Sequence, residues 1–323
     1  MPSNNRIHRA GGRMRVVNPL LVVVLLFSLL GPKSGSAGAP LASGKLKATW
    51  LWDTALIATQ EGRNTILGFA REQAVGRIYL QVDRGVAAET YGLFIEAASQ
   101  SGIQVHALDG APDWVLPAQS DRVAGLVRWV ADYNRLAEPS RRFGGVQIDV
   151  EPYLLPQWNT DRERIAAEWL DTVTRFAEEA RRQSEPLTIG AALPFWLDEI
   201  ELPELPHGEE GGESKSHGEG RGTLLEPMMK QLDEMTLMSY RDQAEAIIDM
   251  TAAELLLGDL LGKKVFVGVE TNPDAAAPYI TFHGKGRKEM ERQLLILDAM
   301  LSAHSSYAGI AVHDYSGWSK LTE

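Results

Sequence analysis

Hydrophobic positions recur with two alternating periods along most of this chain. Short runs of alternating or β-branched residues predict eight strands: LKATWLW (46–52), RIYLQV (77–82), IQVHAL (103–108), VQIDV (146–150), LTIGAA (187–192), EMTLMS (234–239), KVFVGV (264–269) and GIAVH (309–313). Between them, apolar residues return every three or four positions, as in 120–137, 161–182 and 287–304, which predicts amphipathic helices. Eight strand and helix units in alternation predict a parallel sheet closed into a (β/α)8 TIM barrel.

The domain organisation follows from this rhythm. We expect residues 40–323 to form a single barrel domain, whose last helix is short or missing because the sequence stops soon after the eighth strand. Residues 201–222 are rich in Gly, Glu and Ser, which predicts a flexible insertion after the fifth strand. Its two histidines, His207 and His217, are interpreted as part of a solvated loop rather than as metal ligands.

The first 39 residues have a different pattern. Four arginines precede the apolar run 16–30, and the small-residue sequence SGSAGA follows, which is the layout of a secretory signal. The apolar run is shorter than the roughly 20 residues that span a bilayer, so cleavage after Ala37 or Ala39 is favoured over an uncleaved anchor. We therefore expect an exported protein (periplasmic, extracellular or in the cell envelope), in contact with a membrane only if this segment is retained.

Charge narrows the class of partner. Residues 1–39 hold five of the 32 Lys and Arg and none of the 43 Asp and Glu, so the remainder has a net charge of −16. Such a body is repelled by nucleic acid and by anionic lipid, and a neutral or cationic substrate is easier to accommodate. The sequence has no cysteine, which excludes disulfides, thiolate metal ligands and a cysteine nucleophile.

The fourth predicted strand carries a row of polar residues. If its valines and isoleucine face the helices, Gln147, Asp149 and Glu151 point into the barrel. By the same alternation, the other inward-facing polar residues are Gln81, Asp83, Gln104, His106, Glu270 and His313. Buried carboxylates are costly unless they are paired, and barrel enzymes place their sites at the carboxyl ends of the strands. The row therefore predicts an active site, with a structural network of Gln, Asp and His as the alternative.

The spacing of the two acids suggests a reaction. Asp149 and Glu151 are two residues apart and share a face, so a negative charge on Asp149 would help Glu151 to keep a proton. A protonated carboxyl group is what protonation of a glycosidic oxygen requires. Aromatic residues near the same strand ends, among them Trp52 and Trp196, suit stacking on sugar rings. These features predict a glycosidase with Glu151 as general acid.

A metal-dependent hydrolase is disfavoured. Its ligands would be Asp53, Asp83, Asp149 and His313, but the first strand has no His-x-His and no compact ligand spacing occurs. We therefore predict neither a metal site nor a cofactor.

Two motifs resemble those of a known family. The sequence GGVQIDVE (144–151) resembles the strand-four pattern D-G-x-D-x-D-x-E of family-18 glycoside hydrolases, the chitinase and endo-β-N-acetylglucosaminidase group, with Asp149 and Glu151 at its last two acidic positions. MSYRD (238–242) resembles the family's strand-six M-T-Y-D, which implies that Tyr240 contacts the acetamido group of the substrate. The resemblance implies a poly- or oligosaccharide substrate that contains N-acetylhexosamine, whose own acetamido group is the nucleophile.

A third, single-residue resemblance concerns the end of the chain. Trp318 is similar to the family's tryptophan that forms the floor of the central sugar subsite. The residues predicted to contact the substrate, besides the catalytic Glu151, Asp149 and Tyr240, are Gln147, Asp83, Trp52, Trp196, Glu270, His313 and Trp318.

Departures from the family pattern leave two alternatives open. Gly144 and Gln147 stand where the family has its first two aspartates, which alters any relay of charge behind Asp149 and favours a barrel that binds glycans without cleaving them. Glu270 suggests instead a retaining glycosidase, with Glu151 as acid/base and Glu270 as the covalent nucleophile. Against that mechanism, the fourth strand lacks the Asn-Glu pair of such enzymes, and Glu270 could simply pair with Arg241 or a loop lysine.

Overall fold

The structure, a computed structural model, describes residues 38–202 and 222–323. Eight parallel strands pair in chain order and close into a barrel. The strands are β1 (Leu46–Leu51), β2 (Val75–Gln81), β3 (Gln104–Asp109), β4 (Gly145–Asp149), β5 (Thr188–Pro194), β6 (Glu234–Met238), β7 (Lys264–Glu270) and β8 (Tyr307–His313). The predicted (β/α)8 fold class is confirmed, and each strand begins and ends within two residues of its predicted position.

A helix follows each strand. The helices are α1 (Gln60–Glu72), α2 (Ala88–Gln100), α3 (Arg122–Leu136), α4 (Arg162–Arg182), α5 (Leu225–Gln231), α6 (Ala244–Leu261), α7 (Arg287–Leu301) and α8 (Tyr315–Ser319). The side chain of Thr59 caps α1 by accepting from the amide of Gly62, and that of Asp314 caps α8 by accepting from Gly317. The last helix has five residues, so the prediction that it is short is confirmed.

Strand alternation separates two cores. Outward residues such as Val146 and Ile148 are buried in the layer between the sheet and the helices. The inward residues form a second cluster, in which alanines leave room for large side chains: Ala48, Trp50, Tyr79, Leu108, Ala192, Phe266 and Ala311. The barrel is therefore filled by side chains and holds its ligands, if any, at one end.

The amino-terminal end of the barrel is closed by a buried ion pair. Arg77 Nη1 lies 2.6 Å from Glu234 Oε1, and Arg77 Nη2 donates to Gln104 Oε1 at 2.9 Å. His106 lies beside this pair and is fully buried; burial, together with the charge of Arg77, lowers its pKa well below 6.5. Gln104 and His106 thus face inward as predicted, but at the end opposite the carboxyl row.

Two of the predicted segments lie mostly outside the described residues. The predicted signal or anchor (1–39) lies almost wholly outside the described residues, as does most of the predicted insertion 201–222, including His207 and His217. Glu201, the first residue of that insertion, forms an antiparallel bridge with Thr223, the residue just after it. Across residues 38–202 and 222–323, no helix is both long and apolar enough to cross a membrane.

Glu254 on α6 makes stability depend on pH. Its side chain is fully buried, and neither carboxyl oxygen has a hydrogen-bond partner on another described residue. Burial, with a smaller effect from the charge of Asp198, raises its pKa from 4.5 to about 8. The folded protein therefore holds a proton that the unfolded chain releases between those two values, so the free energy of unfolding falls as pH rises through this window.

We expect Glu254→Gln to remove this part of the pH dependence. Near pH 8 the variant should exceed the parent in free energy of unfolding by about 3 kcal/mol, and near pH 5 the two should differ little. Denaturant titrations across this range measure the difference. Glu245→Gln, at an exposed position on the same helix, is the control. Equal slopes for Glu254→Gln and its parent would contradict the assignment.

Candidate active site

The end of β4 brings two carboxyl groups to the rim of the barrel. Asp149 is the last residue of the strand, and Glu151 precedes a 3-10 turn that begins at Pro152. The hydroxyl of Tyr153, in that turn, donates a short hydrogen bond to Glu151 Oε1. This contact fixes one oxygen of Glu151 as an acceptor and leaves the other to carry or release a proton.

Asp149 is the member of this pair whose pKa is raised. Its Oδ1 is buried and has no hydrogen-bond partner among the described residues. Burial, and then the charge of Glu151, raises the pKa of Asp149 to about 7, while His313 acts in the opposite direction. Asp149 therefore keeps its proton up to about that pH, beside the carboxyl group of Glu151. The spacing of the two acids predicted the reverse, with the proton on Glu151 and the charge on Asp149.

A second group is built across β7, β8 and the end of β1. Glu270 Oε1 accepts from the backbone amides of Thr271 at 2.7 Å and Asn272 at 2.6 Å, and from the side chain of Asn272 at 3.0 Å. Its Oε2 lies 2.8 Å from His313 Nδ1. Both oxygens of Glu270 are therefore engaged. The partner of Glu270 is His313, and neither Arg241 nor a lysine of the described loops fills that role.

His313 links Glu270 to Trp52. Trp52 Nε1 donates to His313 Nε2 at 3.2 Å; because an indole nitrogen can only donate, a neutral His313 carries its proton on Nδ1, toward Glu270. Burial lowers the pKa of His313, but Glu270, with Asp314 and Asp149, raises it above 6.5 overall. Protonation at lower pH would cost the hydrogen bond from Trp52, since Nε2 then becomes a donor.

Tyr240 follows β6 and stands among these carboxyls. Gly268 makes room for it, because a Cβ at that position would lie 3.3 Å from the tyrosine ring and 2.3 Å from the carbonyl oxygen of Leu237. Burial, followed by the charges of Glu270, Asp149 and Glu151, raises the pKa of Tyr240 well above 10.0. The phenol therefore stays protonated, and no described residue hydrogen-bonds its hydroxyl, which leaves it able to donate to a ligand.

Aromatic rings border the Glu151 side of the site. The ring centroids of Tyr153 and Trp196 lie 5.1 Å apart in an edge-to-face arrangement, and Trp158 lies 6.1 Å from Trp196. Trp196 is half-buried, whereas Trp158 is nearly covered. The structure thus brings Trp196 next to the tyrosine that donates to Glu151, and its contact with a substrate stays a prediction.

Three predicted substrate contacts lie elsewhere. Asp83 is exposed in a turn after β2 and accepts from the amide of Gly85, so it does not face the barrel interior. Gln147 faces inward but is fully buried below Asp149, where its Oε1 accepts from Thr236 Oγ1 at 3.3 Å. Trp318 is fully buried against Phe69, so its ring has no surface with which to form a subsite floor.

Tyr153 is the residue that the sequence reasoning missed. Its only signal was its place two residues beyond Glu151, because nothing in a sequence specifies that a turn will return its hydroxyl to that carboxyl. The described residues hold no group of three or more His, Asp or Glu arranged to bind a metal ion. Asp53, considered above as a ligand, caps a turn by accepting from the amide of Ala55.

Comparison with known proteins identifies the fold. No protein-family model matches the chain, and no curated protein sequence matches it. A chitinase from Bacteroides thetaiotaomicron is similar in structure, with a TM-score of 0.50 and 10% identity over 84% of this chain and 90% of that chain. A GH18 chitinase from Cycas revoluta, in complex with (GlcNAc)4, has a TM-score of 0.50 and 11% identity over 84% of this chain and 95% of that chain.

A third similar structure belongs to another glycosidase. An exo-β-1,4-mannosidase from Opitutaceae bacterium strain TAV5 has a TM-score of 0.52 and 10% identity over 87% of this chain, which spans 54% of the mannosidase. At these identities the likeness concerns the fold. The resemblance to family-18 barrels is thus confirmed as a divergent form of that fold, one that glycoside hydrolases use.

Proposed function

We propose that this protein is an exported hydrolase that cleaves a glycan containing N-acetylhexosamine, with Glu151 as general acid. The observation that carries the proposal is the Asp149 and Glu151 pair at the carboxyl end of the barrel, in which the pKa of Asp149 is raised to about 7 and Tyr153 donates a hydrogen bond to Glu151. General acids work best when their proton is released near the working pH. Export is proposed on the basic and apolar pattern of residues 1–39.

Each group has a task in the proposed reaction. The proton that Asp149 holds passes to Glu151, which gives it to the glycosidic oxygen while the acetamido oxygen of the substrate attacks the anomeric carbon and the glycosidic bond breaks. Asp149 accepts the acetamido N–H and stabilises the positive charge of the resulting oxazolinium ion, and Tyr240 donates to the acetamido oxygen. Water then attacks the anomeric carbon, the bond from that carbon to the acetamido oxygen breaks to regenerate the acetamido group, and Glu151 takes up a proton from the water as a general base.

The tight hold on Glu270 disfavours the retaining alternative. Three N–H groups bind Oε1 and His313 binds Oε2, which fixes the orientation of this carboxylate and lowers the nucleophilicity of its oxygens. In the proposed reaction Glu270 instead orients His313, and through it Trp52, at the edge of the site.

The pH dependence of hydrolysis tests the role of the pair. Chitin oligosaccharides, peptidoglycan fragments and N-glycan fragments are the substrates to screen with residues 40–323. On any that is cleaved, we expect the rate to fall as pH rises through about 7, where Asp149 loses the proton that it supplies to Glu151. Asp149→Asn should lower the maximal rate by about a hundredfold and move this fall to lower pH, because no neighbouring anion then retains the proton.

The control for this experiment is Asp83→Asn, which removes an exposed carboxylate outside the site. It should keep the parent profile. An Asp149→Asn profile with the same midpoint as the parent would show that the pair does not set the pH dependence.

A further inference from the structure

Arg241, at the edge of the candidate site, is a cation without a carboxylate partner among the described residues. It follows Tyr240, is half-buried, and its Nη1 donates to the carbonyl oxygen of Tyr240 at 2.7 Å. None of the carboxylates in 38–202 and 222–323 forms an ion pair with it. The next residue, Asp242, pairs with Lys285 at 2.7 Å instead.

The two fully buried cations of the barrel, Lys47 and Arg77, are paired. Lys47 lies 2.8 Å from Glu291, and Arg77 lies 2.6 Å from Glu234. Removing a charge from water without a partner is unfavourable, and Arg241 differs from the other half-buried cations in lying beside the candidate site.

Two aromatic rings hold Arg241 in place. Its Cζ lies 5.6 Å from the ring centroid of Phe195 and 5.4 Å from that of Tyr279. Such contacts orient the planar guanidinium and leave its charge in place, while the N–H groups at its edge stay available for a bidentate acceptor. Tyr279 is itself more than half exposed, so this part of the rim is open to solvent.

Arg241 lies close to the groups that are proposed to act on the substrate. The ring of Tyr240 lies 5.9 Å from that of His313, and the charges of Glu270, Asp149 and Glu151 all act on its hydroxyl. Phe195 adjoins Trp196, which packs on Tyr153. Arg241 therefore lies on the rim formed by the segments after β5, β6 and β7, next to the proposed point of cleavage.

We propose that Arg241 binds a carboxylate on the glycan, so that the substrate carries an acidic sugar next to its N-acetylhexosamine. This inference rests on the proposed function. A carboxylate fits one planar guanidinium through two parallel hydrogen bonds. A dianionic phosphate is a poorer match, because a single arginine would face it in a site that also holds Asp149, Glu151 and Glu270.

The test compares acidic glycans with neutral forms of the same chains. The first probe is an oligosaccharide of alternating N-acetylglucosamine and N-acetylmuramic acid, and the second alternates N-acetylglucosamine with glucuronic acid. Each is paired with a derivative whose carboxyl groups are converted to methyl amides. Calorimetry on Glu151→Gln measures affinity without turnover, with Arg241 intact or replaced in Arg241→Gln.

With Arg241 present, one of the two acidic probes should bind at least about tenfold more tightly than its amide derivative, and higher salt should narrow the gap. In Arg241→Gln the ratio of the two affinities should fall to about one. Arg241→Lys keeps the positive charge but lacks the planar N–H groups that bind both oxygens of a carboxylate. It should therefore retain part of the preference for the acidic probe. Arg71→Gln, at the far end of α1, makes the same change in net charge away from the site and should keep the full ratio.

Three results would overturn the inference. Equal binding of the acidic and amide forms of both probes is the first. The second is an equal loss of both forms in Arg241→Gln, which would assign Arg241 to holding Tyr240 in place. The third is binding of neither probe while the parent still cleaves neutral (GlcNAc)4, in which case the proposed function stands without the acidic sugar. Failure to bind or cleave any glycan would overturn the proposed function as well.

Discussion

Glutamine in place of Glu151 is expected to lower the rate of glycan hydrolysis by at least about a thousandfold, the upper part of the range for loss of a general acid. The amide has nearly the same shape as the acid, and its oxygen can still accept the hydrogen bond from Tyr153. It cannot release a proton to the leaving oxygen, so only the chemical step should suffer. Single-turnover rates at saturating substrate measure the loss, and the melting temperature should stay at the parent value.

The matched control is Glu163→Gln, an exposed glutamate in the first turn of α4 that should retain full activity. Activity of Glu151→Gln within about tenfold of the parent, or about 1.4 kcal/mol in the barrier, would rule out Glu151 as the acid. A parent that binds N-acetylhexosamine glycans but cleaves none would instead support the non-catalytic barrel that the replaced aspartates suggest.

The strand pattern alone was sufficient to predict the barrel. Outward residues such as Val146 and Ile148 must be apolar on a face covered by helices, so every second position of β4 reports its orientation. The same rule placed Asp149, Glu270 and His313 inward, and these three do meet at the carboxyl end. Periodicity works here because the side chains of a strand alternate between its two faces with a fixed repeat of two residues. An error of one residue would place all the apolar side chains on the wrong face.

The alternation rule fails beyond the end of a strand, and it does not give the height of a side chain inside the barrel. β2 ends at Gln81, so alternation no longer applies at Asp83, which lies in an exposed turn. Gln147 has the predicted direction, but period alone does not give its height in the barrel, and it lies one layer too deep. Trp318 belongs to α8, whose buried face packs on Phe69.

For a similar reason, the sequence could not predict which carboxyl of the acid pair holds a proton. Spacing indicated that Asp149 and Glu151 would interact, and the structure agrees that the charge of one acts on the other. Which carboxyl is the more deeply buried depends on how the chain leaves β4. The turn from Pro152 gives Glu151 a hydroxyl donor, whereas Asp149 Oδ1 has no hydrogen-bond partner among the described residues.

The identity of the nucleophile leads to the second large expected effect. If the acetamido oxygen of the substrate attacks the anomeric carbon, no bond to the protein forms, and substrates without the N-acetyl group should not be turned over. A thiazoline that mimics the cyclic intermediate should then inhibit strongly, because it matches a charged species that Asp149 and Tyr240 are placed to stabilise. We expect such inhibition, and we expect it to weaken in Asp149→Asn.

A covalent mechanism would leave a different trace. A 2-fluoro glycoside would trap an adduct on Glu270, detectable by mass spectrometry of the peptide around VFVGVETNP. We expect no adduct, because Glu270 is bound by Thr271, Asn272 and His313 through both oxygens. Releasing one oxygen would break a hydrogen bond to a charged acceptor, which contributes about 1.5–3 kcal/mol. An adduct on Glu270, or efficient cleavage of plain glucosides, would establish the retaining mechanism and return Glu270 to the role of nucleophile.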